Sequence, residues 1–372
     1  MKNLRFKPLA FAVLTLIYFV LASITFGASP AILGLSAAVA FVTGTALSLS
    51  DTSNTLGGIQ VEIWENTIEK ELFKGNEFLN LSHSADDNVI NGIAVHIPQS
   101  GGSGNVVKNR TTFPATIRKR TDTDVIYLID EYTSDPVKIP DADTHELSYD
   151  KRQSVLEEDL DNLKEVMAEW MIQNWLKSPA SLGYSASQIP AENILETTGA
   201  AVPASAPGAT GNRKAARLND LQRLQTYLRT KKRWIEGKMH VLLPPGMMAE
   251  LFPAESQITA TYMQATTEKE RRMGVIAKAQ GFKIHTRSTV ATLTDAGALN
   301  APGAAGATTD DEAALVWYEQ AVERATGTIK MFQNEGNPVH YADIYSMLVR
   351  MGGRARRSDY AGIALLKQAN AI

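Results

Sequence analysis

The chain contains no cysteine. That excludes disulfides, thiolate metal centres and a cysteine nucleophile, and leaves the redox compartment open. The short patterns that carry common chemistries are also missing. There is no HExxH, GxSxG, Walker A or GxGxxG; the stretch GATGNRKAA at 208–216 has glycine and lysine but neither the spacing nor the Ser/Thr of a phosphate loop. The six histidines, at 83, 96, 145, 240, 285 and 340, form no pair at helical ligand spacing, so they read as scattered solvated or hydrogen-bonded groups. Asn80 and Asn109 stand in sequons that read as chance matches. No excess of either charge exists: 37 basic and 40 acidic residues leave a net charge of −3, which favours neither a nucleic-acid binder nor a protein for acidic substrates. These absences point to a protein without a catalytic, cofactor or metal site.

What is present is ordinary globular composition, 44% hydrophobic and 21% charged, over 372 residues, enough for two or three domains with their own cores. The first fifty residues differ. No charge occurs between Lys7 and Asp51, and two apolar runs, Leu9–Phe26 and Ala31–Leu49, are split by Gly27-Ala28-Ser29-Pro30 behind the basic residues Lys2, Arg5 and Lys7. Three readings fit: a long signal peptide, a membrane hairpin returning the rest of the chain to the cytoplasm, or an assembly segment that is removed or covered by a partner. A polar, glycine-containing stretch at 50–58 marks a boundary. Apolar Val61, Ile63, Trp64, Ile68 and Leu72 then stand among acids, as in a short helix or an extended arm.

Residues 91–132 form an unusual stretch. Its flanks, Ile93–Ile97 and Val125–Tyr132, have the β-branched and aromatic content of strands, with Val137–Ile139 as a short closing strand. The middle carries Lys108, Arg110, Arg118, Lys119 and Arg120, a Gly-Gly-Ser-Gly run and few apolar groups, so it reads as a charged ribbon with little core of its own. Asp122 and Asp124 read as part of a cross-strand charge pattern.

Residues 148–177 then predict a long helix. Ser148 serves as N-cap, Leu156, Leu160, Leu163, Met167 and Trp170 recur at steps of four and three, and Pro179 ends it. A loop rich in Ala, Ser, Pro and Gly follows to 211. A second helix is expected over 217–235, a buried strand over 239–243, a short helix over 247–252 and a strand over 281–287. A surface loop is expected over 291–309, and strands over 313–325 (a helix being the alternative there), 328–332 and 342–350. Gly352-Gly353 punctuates a basic stretch before a last apolar run at 363–366. Between Arg213 and Lys238 nine basic residues face two acidic ones. This reads either as a solvated helix face or as a backbone-contacting DNA patch through Arg223, Arg229, Lys231 and Lys232.

The order of these parts (arm, charged ribbon, long amphipathic helix, mixed α/β region, closing strands) resembles the major capsid proteins of tailed phages, the Hong Kong 97 fold, over about 59–366. LNDLQRLQTYL, MHVLLPPGMMAELF, AKAQGFKIHTRSTV, EAALVWYEQAVERATG and MLVRMGGRARRSDYAGIALL carry the resemblance after the ribbon and spine helix. It implies an α+β chain with an arm at 51–90 and an extended hairpin loop at 91–140; the hydrophobic segment at 1–50 departs from the usual family pattern. It further implies a peripheral domain from 141–212 and 312–352, and an axial domain from 213–311 and 353–372. The implied function is structural: self-assembly as hexamers and pentamers into an icosahedral shell in the bacterial cytoplasm, with scaffold or protease, portal and non-specifically held double-stranded DNA as partners. Membrane contact would run through residues 1–50. The ribbon cations would meet neighbouring subunits. A nanocompartment shell protein and a membrane-anchored or exported enzyme are the rival readings.

Overall fold

The computed structural model describes residues 75–86, 89–90, 94–99, 101, 106–115, 117, 119, 122–140, 151–180, 186–254, 256–337 and 339–371, with Glu65 and Ile68. The apolar segment 1–50, nearly all of the arm at 59–73 and the expected cap Ser148 lie outside these residues. Among the described residues no helix is long and apolar enough to cross a membrane.

Strands β1 (Ala94–Gln99) and β2 (Thr123–Leu128) pair antiparallel, from Ala94 opposite Leu128 to Gln99 opposite Thr123. Strands β3 (Asp130–Thr133) and β4 (Val137–Pro140) follow, then helix α1 (Lys151–Leu176). The chain continues through β5 (Ile194–Glu196), helix α2 (Leu218–Thr230), β6 (Met239–Leu243) and helix α3 (Pro245–Leu251). Next come β7 (Ala277–Ala279), β8 (Phe282–Thr286), β9 (Ala291–Leu293) and β10 (Asp311–Tyr318). Two long strands, β11 (Val322–Asn337) and β12 (Ala342–Ala355), and β13 (Ile363–Lys367) complete the α+β fold.

Two sheets carry the cores. The seven-stranded sheet runs β7-β8-β6-β10-β13-β5, with β9 beside β10. Every residue of β6 is buried, because it sits between β8 and β10 with both faces covered. Helix α2 lays Leu221, Leu224 and Leu228 against that sheet, the period-3.6 stripe expected of an amphipathic helix. Its first turn is fixed by the fully buried Asp220, whose carboxylate accepts from the Arg217 and Thr198 amides, the Thr198 hydroxyl and Arg223. Helix α3 begins at Pro245, two residues before the apolar run suggested. Proline suits the first helical position, where its missing N–H costs nothing.

The five-stranded sheet consists of His83–Ser84, β11 and β12, with β3 and β4 pairing along different parts of β12. Helix α1 packs on β12. Leu156, Leu160, Leu163 and Met167 are buried as the sequence pattern requires. Trp170 is not: it is 38% exposed, and the stripe continues through Met171 and Trp175. Steps of four from Met167 hold the same face, while position 170 turns toward its edge.

Three further expectations are corrected. Residues 137–140 close no ribbon; they pair with Ala342–Tyr345 of β12. The strand expected over 313–325 breaks at a tight turn in which the Ala321 amide donates to the Tyr318 carbonyl, so β10 and β11 belong to different sheets. Residues 312–318 are hydrogen-bonded between β6 and β13. Residues 194–196 pair with β13. Finally, Gly352-Gly353 does not end a strand. A Cβ on Gly352 would lie 2.9 Å from the Leu128 carbonyl oxygen. One on Gly353 would lie 2.7 Å from the Glu323 carbonyl oxygen and would run into the Met171 sulfur. Gly353 lets β12 continue beneath α1, and Gly352 lets it pass close to the Leu128–Ile129 backbone.

Candidate functional site

The hairpin β1–β2 is anchored at its base and spare at its end. Val95, Ile97, Val125, Tyr127 and Ile129 form a small core with Ala85 and Ala325. Polar contacts tie this core to the long strands. The Tyr127 hydroxyl donates to Glu323 at 3.2 Å, and burial with the neighbouring carboxylate pushes that phenol far above its ordinary value. Arg354 donates to the Ile126 carbonyl at 2.8 Å, and Arg356 pairs with Glu323 at 3.1 Å. Buried charges held this way are costly to break. Asp124 contacts His96 across the strands at 3.4 Å, and Asp122 accepts from the Gly101 amide at 2.8 Å where the loop leaves the ladder, so these two acids are local structure.

Beyond the ladder, Lys108, Arg110 and Lys119 are exposed; Arg118 and Arg120 lie outside the described residues. The ribbon is less purely charged than its sequence suggests. Val106 and Ile117 are each 97% exposed, Phe113 75%, and Val107 is exposed too. Four large apolar side chains in water on one loop form a feature that composition averages conceal; the Val-Val and Phe-Pro pairs were the available signal.

The basic region is partly neutralised. Arg223 reaches Asp220 at 3.1 Å and the Glu196 carbonyl at 2.9 Å. Arg229 pairs with Glu236 at 3.2 Å while lying 5.0 Å over the Trp234 ring. Lys231 pairs with Glu192 at 2.8 Å, and that hydrogen bond holds its ammonium above the ordinary lysine value. Lys232 is exposed with a left-handed backbone, φ 57°. Arg213 is withdrawn altogether: it is buried against Asp311, whose other oxygen meets Lys367 at 2.9 Å. An open groove of about 500 Å³ runs along α2, lined by Asn219, Gln222, Arg223, Thr226 and Tyr227. The four candidate cations thus share one helix and the turn after it, with acids interleaved. No group of three or more metal-ligating side chains is assembled among the described residues.

No protein-family model matches the sequence, and no curated protein matches it. Solved structures do match. The capsid of Ralstonia phage GP4 superposes with a TM-score of 0.56 at 13% identity, covering 78% of this chain and 88% of that one. The capsid of Cyanophage P-SCSP1u gives 0.52 at 17% identity, covering 78% and 87%. The Cyanophage Pam1 capsid gives 0.52 at 10% identity, covering 77% and 87%. At these identities the likeness is one of fold: the chain has the fold of phage capsid subunits.

Proposed function

We propose that this chain is the major capsid protein of a tailed bacteriophage or prophage, a structural protein that assembles into an icosahedral head shell around double-stranded DNA. The observation that carries the reading is the fold match, which runs through 78% of this chain and 88% of a capsid subunit. The hairpin supports it. A loop that exposes Val106, Phe113 and Ile117 gains nothing for its own subunit and aggregates unless covered, so a neighbouring copy is its natural cover.

In this reading the architecture is of the Hong Kong 97 type. The peripheral domain is α1 with the five-stranded sheet, the axial domain is the seven-stranded sheet with α2, and β1–β2 is the extended loop. Lys108, Arg110, Arg118, Lys119 and Arg120 tune contacts between copies. Arg223, Arg229 and Lys231, already paired within the subunit, and the exposed Lys232 give at most a weak, salt-sensitive contact to packaged DNA. Scaffold or protease and portal act on the same assembly in the host cytoplasm, and the finished protein resides in the virion. Residues 1–50 stand apart from the shell fold, removed or sequestered by membrane or partner.

The test is a pair of loop variants of the full chain, Phe113→Ser and Ile117→Ser. Both should keep the wild-type melting temperature of the unassembled subunit, since neither side chain is in its core, and both should lower assembly yield. Normal assembly by both would remove the loop from the account. A folded chain that never assembles in wild-type form would remove the shell reading itself.

A further inference from the structure

Two histidines far apart in sequence meet inside the molecule. His240 on β6 and His285 on β8 are buried, with Nδ1 of His240 3.1 Å from Nε2 of His285. His240 stacks on Trp317 of β10 at 5.3 Å and 25°. Trp317 in turn contacts Trp175 of α1 at 6.0 Å and Phe78 at 6.4 Å, and its indole N–H donates to the Leu81 carbonyl. The pair therefore sits at the joint between the seven-stranded sheet and α1.

The hydrogen bonds fix where protons must be. The Gly274 carbonyl only accepts, so Nδ1 of His285, 3.0 Å away, carries a proton. Neutral His285 then accepts at Nε2 from Nδ1–H of His240. That leaves Nε2 of His240 without a proton, 3.0 Å from Oε1 of Glu319, a carboxylate that also only accepts. Three contacts in a row need three protons, and two neutral imidazoles supply two. The third contact becomes a hydrogen bond when one further proton enters. A second further proton, on His285, sets N–H against N–H and breaks the link between the rings.

We propose that the half-buried Glu319 and the buried His240 and His285 form a proton relay that makes this joint pH-sensitive, holding one added proton between His240 and Glu319 and opening on the next.

The surrounding charges act accordingly. Burial holds His240 below its ordinary value, with the Glu319 hydrogen bond and charge opposing and Lys283 adding to the fall. Burial, then the neighbouring His240, drives His285 down to about 3, with Lys283 adding to the fall. Lys238 and Lys283 both act on Glu319, Glu77 abuts Gly274, and α1 contributes the neutral Trp175 ring. A histidine lowered in the folded chain stabilises it fully above the ordinary imidazole value and progressively less as pH falls toward the folded one. Glu319 softens that loss by helping His240 accept its proton.

The experiment compares the full-length wild type with E319Q, each kept in one assembly state, by thermal melting at pH 8 and pH 5. Glutamine fits the same contact but carries no charge. Relative to wild type, E319Q should lose roughly 3–5 °C more at pH 5 than at pH 8, the shift one decade of proton affinity gives at about 2–4 °C per kcal/mol in larger domains. An offset equal at both pH values overturns the relay. Imidazole ¹⁵N spectra of the wild type give a second readout that does not depend on the variant folding. His285 should show the Nδ1–H tautomer and be the last histidine to protonate. The other tautomer, or titration near the ordinary imidazole value, overturns it as well. Neither readout depends on shell formation.

Discussion

Replacing Gly353 by alanine tests the joint on which the five-stranded sheet depends. The new Cβ would lie 2.7 Å from the Glu323 carbonyl oxygen and 3.1 Å from Trp175 Nε1, and would strike the Met171 sulfur. Met171 ends in a flexible thioether and can yield. The carbonyl belongs to β11, paired with β12 at Glu323–Arg354, and cannot yield without moving the ladder. The same carbonyl accepts the Trp175 indole N–H at 3.1 Å, so the methyl pushes on both members of a buried hydrogen bond. Overpacking of this kind costs about 1–3 kcal/mol. Loss of the indole bond adds about 1 kcal/mol. At about 2–4 °C per kcal/mol in larger domains, Gly353→Ala should lower the melting temperature by roughly 4–16 °C. Differential scanning calorimetry of the full chain reads this directly. Added to Met171→Ala, which removes the sulfur contact, Gly353→Ala should still lower the melting temperature below that of Met171→Ala alone, because the backbone contact remains. A single variant melting within a degree of wild type would mean that α1 does not cross β12 where the glycines are.

Other outcomes follow from the same contacts. Leu160→Asp should abolish soluble protein, since it removes a buried leucine and leaves an unpaired carboxylate against β12, together at least about 4 kcal/mol; wild-type yield and circular dichroism would show the stripe misplaced. Replacing 100–122 by a short Gly-Ser turn should leave the melting temperature near wild type while assembly fails; an unfolded product would make the loop part of the subunit core. Neutralising Arg223, Arg229, Lys231 and Lys232 together should leave empty particles intact and reduce retained DNA modestly; failed assembly would assign the patch to contacts between copies.

Much of the fold is legible in the sequence because local periodicity and tertiary packing agree. Strand β6 runs over the residues expected of it, Met239–Leu243, and α1 and α2 follow their stripes. The failures occur where a non-local partner decides. Trp170 looks like the next stripe residue, but the joint selects Trp175. Gly352-Gly353 looks like punctuation, because its reasons are non-local: Gly352 lies against the Leu128–Ile129 backbone and Gly353 against α1 and β11. The assignment of β10 depends on its pairing with β6 and β13, which local propensity does not encode. The candidate surface was half legible. The ribbon's charges announce themselves, whereas the exposure of Val106 and Ile117 depends on the absence of anything above them in one subunit. The histidine pair was invisible, since 45 residues separate its members.

The central claim, that the chain is a shell subunit, is tested most directly by electron microscopy of the full-length protein purified from expressing cells, with sedimentation of the same sample. The account predicts closed particles or capsomer rings sedimenting far above the 40.5 kDa chain. A strictly monomeric, folded protein at every concentration, with or without a co-expressed scaffold, would contradict it.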